Sequence, residues 1–137
     1  MSVLNDVGAF LAAAPQSLGT VGTDLFLGTM PSDPNACGAV YETGGLAPEG
    51  GFGVLGVQYE TPGVQVVFRG DPHDYAGPRA KAETAYRSLA AVQPGTIVGG
   101  SAQYLTVHPQ QSPFLMRRDE NQRVYIACNF LCQKEPS

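Results

Sequence analysis

Charge is scarce in this chain: Asp, Glu, Lys and Arg make up only 15% of its 137 residues. Histidine is scarcer, with His73 and His108 far apart in sequence, and the cysteines are three, Cys37, Cys128 and Cys132. No apolar run approaches the ~20 residues that a membrane-spanning helix needs. The opening Met1-Ser2-Val3-Leu4-Asn5-Asp6 has no basic segment and carries an acid early, so a secretory leader is not expected. Each shortage excludes something. Two isolated histidines and scattered cysteines do not supply the ligands of a zinc site. Cys128 and Cys132 on one strand would stand about 13 Å apart, beyond the reach of a disulfide. An odd number of cysteines without a Cys-x-x-Cys pair reads as small buried hydrophobes in a reducing compartment. The formal net charge is -4, and the one basic cluster, Arg117-Arg118, is followed directly by Asp119-Glu120. Gripping nucleic acid through its phosphates is therefore disfavoured, whereas letting it slide through an acidic passage is not.

Catalytic signatures are missing too. His73 lies between Asp71 and Asp74, the look of a base with an orienting acid, but no nucleophile is placed near it by any known spacing. The turn at a helix start is the better reading, and His108 before Pro109 ends a strand. Asp119-Glu120 read as a turn. The run Gly-Gly-Leu-Ala-Pro-Glu-Gly-Gly-Phe-Gly from Gly44 has neither the spacing nor the lysine of a phosphate-cradling loop. Neither a metal nor a cofactor is expected, and an enzyme is the disfavoured class.

What is present is glycine, proline and apolar residues: 17 Gly, 11 Pro and a 43% apolar fraction. That describes a loop-rich globular chain, with length for one domain, 1–137, and a real core. Its organising stretch is Pro62 to Val92. Val64-Gln65-Val66-Val67-Phe68-Arg69 reads as a strand with Val64, Val66 and Phe68 on its core face. Gly70 to Asp74 breaks it. A helix follows from about Tyr75 to Val92, with Asp74 as candidate cap and Pro78 in its first turn. Ala82, Ala85, Tyr86, Leu89 and Val92 form its apolar stripe; Arg79, Glu83 and Arg87 form a polar one at i, i+4 spacing.

Around this unit, Ser2 to Ala14 reads as a first helix capped by Ser2 and stopped by Pro15. Asp24 to Gly28 and Cys37 to Glu42 are strands, with a proline-rich loop between. Thr43 to Gly56 reads as a long glycine-rich loop carrying Phe52 and Leu55, a surface that orders against a partner. Ala102 to His108 is a strand. Phe114 to Arg118 and Arg123 to Phe130 form a hairpin around Asp119-Glu120-Asn121, with Asn121 left-handed, Met116 opposite Val124 and Phe114 opposite Ile126. Lys134 to Ser137 is a polar tail. Any parallel pair would need the second helix as its crossover. The expected class is α+β, a mainly antiparallel β-sheet packed on one face by two α-helices.

The ordered series of short motifs resembles the tail terminator proteins of long-tailed bacteriophages, a group often labelled phage minor capsid or tail completion proteins. The residues that carry it are Gly22-Thr23-Asp24-Leu25-Phe26-Leu27-Gly28, Tyr41-Glu42-Thr43-Gly44-Gly45 and Pro62-Gly63-Val64-Gln65-Val66. Asp74-Tyr75 with the helix to Leu89 follows, then Arg118-Asp119-Glu120 through Arg123 to Asn129-Phe130. The resemblance implies a virion protein assembled in the host cytoplasm. Such proteins form a ring, usually six-fold, that caps the finished tail tube and docks to the head-side connector while DNA passes through the lumen. Its implied partners are copies of itself, the tail tube protein and the connector or stopper. Glu42, Glu49, Phe52, Leu55, Arg79, Glu83 and Arg87 are the candidate subunit or partner contacts. The alternatives are a stopper-type connector subunit, or a small α+β ligand binder or enzyme.

Overall fold

A computed structural model describes residues 3–49, 59–92, 96–97 and 103–134. The elements run α1 (Val3–Ala12), β1 (Leu25–Leu27), β2 (Cys37–Glu49), β3 (Tyr59–Pro72), α2 (Ala76–Ala90), β4 (Thr96–Ile97), β5 (Gln103–Pro109), β6 (Phe114–Arg118) and β7 (Arg123–Lys134). The strands form one seven-stranded sheet in the order β1-β2-β3-β7-β5-β4, with β6 pairing β7 off this path. β3 takes one edge of β7 along its length; β6 and β5 share the other, on its first and second halves respectively. All pairings between these strands are antiparallel except β1 with β2. The class is the expected α+β.

Both helices lie on one face. Val3, Val7 and Leu11 of α1 and Ala82, Ala85 and Leu89 of α2 share a core with Val64, Val66 and Phe68 of β3 and Val124, Ile126, Cys128 and Phe130 of β7. The period-3.6 stripes of the helices meet the period-2 faces of the strands, and alanine on α2 lets it approach the sheet closely. Pro78 occupies the first turn of α2, where no intrahelical donor is needed. The Asp74 carboxylate accepts from the Gly77 amide at 3.0 Å, but the cap position of α2 is the next residue, Tyr75, whose side chain makes no capping bond. Arg79 pairs with Glu83 at 3.4 Å, the i, i+4 contact read from the sequence. The proposed cap Ser2 lies outside the described residues.

Four expectations are corrected. First, Thr43 to Glu49 is not loop: β2 continues against β3 through Thr43↔Gly63, Leu46↔Thr61 and Glu49↔Tyr59, with two register shifts. Glycine permits this, because a Cβ on Gly45 would run into the carbonyl oxygen of Thr61. Residues 50–56, the rest of the expected loop, lie outside the described residues. Second, the parallel pair is β1–β2, Leu25↔Gly38 to Leu27↔Val40, and its connection is the proline-rich loop 28–36 and not a helix. Third, the β6–β7 hairpin pairs Phe114 with Ala127, Leu115 with Ile126, Arg117 with Tyr125 and Arg118 with Val124. The turn closes between Asp119 and Arg123, the left-handed residue is Gln122 at φ 64°, and a register shift between Leu115 and Arg117 takes up the difference. Fourth, Lys134 belongs to β7 and is 3% exposed, beside the Tyr104 ring at 6.0 Å, so the tail begins after it. The short strand β4 was not expected from the sequence.

Among the described residues all three cysteines are free and buried. Burial pushes the Cys128 and Cys132 thiols up to about 12. We predict that neither reacts with a thiol reagent in the native protein at pH 8, and that both react promptly in guanidinium; a native-state labelling rate like that of an exposed cysteine would contradict the packing. Phe68 is completely buried against both layers. Phe68→Ala is expected to destabilise by about 3–5 kcal/mol in urea titrations.

Candidate functional site

Among the described residues no three His, Cys, Asp or Glu side chains gather as metal ligands. His73 sits at the turn after β3 with φ 65°, its amide donating to the Gln122 carbonyl at 2.9 Å. It ties that turn to the hairpin turn. The features left for function are the sheet face without helices and the strand edges.

The helix-free face is built from the alternate residues of β2, β3 and β7. Val67, Tyr125 and Ala127 are buried there, with Met30, Tyr41 and Phe114 packed against them. Met30, Tyr41, Gln65, Val67, Met116, Arg117 and Tyr125 line an open pocket of about 240 Å³. Burial raises the Tyr41 phenol, and Cys37 and Tyr125 add to the shift. The Arg117 guanidinium lies 4.1 Å from the centre of the Tyr125 ring. The pocket is a mixed aromatic, thioether and guanidinium surface, suited to contact with another protein surface.

One end of this face is fixed by a polar network. Arg69, 3% exposed, donates from Nε to the Asn35 carbonyl at 2.9 Å and from Nη2 to those of Pro31 and Pro34, both at 2.7 Å. Arg123 donates from Nη1 to the Ser32 carbonyl at 2.7 Å and from Nε to Asp119 Oδ2 at 2.8 Å. Asp119 Oδ1 accepts from the amides of Asn121 and Arg123, at 3.0 and 2.9 Å, and the Tyr125 hydroxyl donates to Oδ2 at 3.0 Å. Two arginines from neighbouring strands thus hold loop 28–36 by its carbonyls, and one carboxylate holds the turn that presents Arg123. Burial opposes the charge on Asp119, but the hydrogen bonds from Arg123 and Tyr125 outweigh it and hold the carboxyl down to about 2.

Of the candidate contacts read from the sequence, Arg79, Glu83 and Arg87 share one helix and Glu42 lies on β2. Glu42 is exposed on β2. Glu49 ends β2, where its backbone alone is described, and Phe52 and Leu55 lie outside the described residues. Arg79, Glu83 and Arg87 sit on α2; Arg79 also donates to the Pro113 carbonyl at 2.9 Å, which ties the helix to the start of β6. Sequence reasoning missed the pocket and the arginine network. Arg69 alternates with Val67 and Gln65 on the strand face that pattern alone assigns to solvent. Its one available signal was a cation two residues from a buried valine in an otherwise apolar strand.

A family profile described as "Bacteriophage tail terminator protein" matches residues 14–136. No curated protein matches the chain.

A carboxyl held below its unfolded value contributes stability above that value, about 3.8, and loses it as pH falls through about 2. Asp119→Asn removes that contribution. The difference between wild type and variant in urea titrations is expected to be full from pH 7 down to about 4 and to shrink towards pH 2. A pH-independent difference would show that the charge is not the stabilising feature. Arg69→Met leaves loop carbonyls without their donor, and on the order of 3 kcal/mol of stability is expected to be lost.

Proposed function

This chain belongs to the bacteriophage tail terminator family, and from that premise we propose that it is the subunit of a ring that closes the head-side end of a tail tube. Membership makes it a structural component of the virion tail. In the proposed role, copies of the chain, six by expectation, form a ring on the last layer of tail tube protein and stop its growth. The ring then joins the tail to the head-side connector or stopper, and DNA passes through its lumen without specific binding. Assembly takes place in the host cytoplasm before the tail meets the head. The observation that carries the reading is the family match, which covers every described strand and α2 but not α1. The net charge of -4 supports passage of DNA over gripping it, since an acidic lumen repels phosphate.

A ring of identical subunits needs two unlike faces on each copy. We assign Glu42, Glu49, Phe52, Leu55, Arg79, Glu83 and Arg87 to these faces or to the contact with the tube. Glu42 is exposed near the start of a long strand pair, and Arg87 is exposed on the helix. Phe52 and Leu55 belong to the apolar sequence between β2 and β3.

Electron microscopy of tails made without this protein tests the role. Overlong tubes mark a terminator; tails of normal length that fail to join heads would assign the protein to the connector instead. Phe52→Asp combined with Leu55→Asp is expected to abolish ring assembly and tail docking while leaving the far-ultraviolet circular dichroism of the subunit unchanged. Assembly and docking at wild-type levels would remove these residues from the interface.

A further inference from the structure

Among the sheet's edges that lack a described strand partner, two carry opposite charge. β1 pairs β2 only from Gly38 to Val40, so β2 beyond Val40 has an uncovered outer edge among the described residues. Glu42, Thr43, Gly44 and Gly45 are exposed there, and a Cβ placed on Gly44 would meet nothing within 4 Å. β6 pairs β7 on one side, no described strand pairs the other, and Leu115, Met116, Arg117 and Arg118 are exposed. Such edges are templates for strand addition.

The backbone directions match. The Gly38 amide donates to the Asp24 carbonyl and the Val40 carbonyl accepts from the Gly28 amide, both at 2.8 Å, so the even residues of β2 point their backbone groups outward. Glu42 is next in that alternation. On β6, the Asp119 amide faces Arg123 on β7 at 3.1 Å, so its neighbour Arg118 points outward. The side-chain faces match as well. Glu42 is paired with Val64 and Arg118 with Val124, and both valines lie on the helix-covered face. A sheet continued from one edge to the other would therefore keep Glu42 and Arg118 on the same side. In an antiparallel pair, two outward residues come directly opposite, at about 5.5 Å between Cα atoms.

We infer that β2 of one copy pairs edge to edge with β6 of the next, continuing the sheet between subunits with Glu42 facing Arg118. The inference rests on the ring reading above and specifies its joint. The charges also select the pairing. Two β2 edges would set Glu42 against Glu42, and two β6 edges would set arginine against arginine; only the unlike pair brings opposite charges together. An unlike pair is head-to-tail, the kind of contact that closes rings.

The full-length chain is compared as wild type, Glu42→Arg, Arg118→Glu and the double variant, by sedimentation velocity alone and on isolated tail tubes. Circular dichroism verifies that each is folded. Each single reversal is expected to raise the concentration for half-assembly at least about tenfold, and the double variant to return it close to wild type. Hydrogen exchange reads the backbone directly: the amides of residues 42 and 118 should exchange fast in the monomer and slowly in the assembly. Single variants that assemble like wild type, a double variant no better than the singles, or unchanged exchange at these amides in an assembled wild type would overturn the edge pairing and leave the ring standing. A wild type that never assembles, alone or on tubes, would overturn the ring itself and the pairing with it.

Discussion

The buried network of Arg69, Arg123 and Asp119 is the constraint on which the rest of the sheet depends. β1 runs parallel to β2, and the nine-residue connection 28–36 must turn back over the sheet without a helix to satisfy its backbone. Parallel neighbours usually use a longer, helical crossover because its backbone groups are then internally bonded. Here the carbonyls of Pro31, Ser32, Pro34 and Asn35 are satisfied from outside the loop, by guanidinium groups rising from β3 and β7. Arginine suits this place because its planar fork carries five donors at fixed angles. Apolar residues of equal volume would fill the space and leave the carbonyls unpaired, which is the costlier outcome for buried polar groups.

The same network shapes the helix-free face. Asp119 receives Arg123 and the Tyr125 hydroxyl on one oxygen, and the hairpin amides on the other. Tyr125 is thereby fixed at both its ring, between Arg69 and Arg117, and its hydroxyl. The pocket wall that Tyr125 forms is a consequence of how the loop and the hairpin are anchored. A structural device for one connection has thus set the chemistry of the surface that faces outward.

Much of the fold was legible because periodicity reports burial. The stripes of α1 and α2, the core face of Val64, Val66 and Phe68, and that of Val124 to Phe130 all follow from spacing alone. The misses share a cause: they depend on partners distant in sequence. Glycines at 44 and 45 signal loop locally, yet β3 recruits them into a bulged strand, where the lack of a side chain on Gly45 is what allows the approach. The hairpin register slipped because Asp119 draws the turn towards Arg123, an interaction that the apolar pattern does not encode. Lys134 looked like the start of a solvated tail, yet it pairs with Glu60 on β3 and Tyr104 on β5 and is buried between them. The candidate contacts were legible as exposed charges in the cases of Glu42 and Arg87, but no pattern along one chain reports which of its edges stay uncovered.

A sheet with open edges faces two demands at once. An uncovered edge must not pair indiscriminately, and natural sheets guard such edges with charge. Guards of one sign on every edge would only repel. Placing an acid on β2 and basic residues on β6 keeps each edge from pairing with its like while leaving the unlike pair attractive. The low overall charge matters here, because a few charges on a sparsely charged surface are not masked by neighbours of either sign. Since both residues project on the helix-covered side, the contact also fixes which way up the next subunit sits: inverting it would carry Arg118 to the opposite face of the continued sheet, away from Glu42. The feature that protects the free subunit from random strand addition is then the same one that gives its assembly a direction.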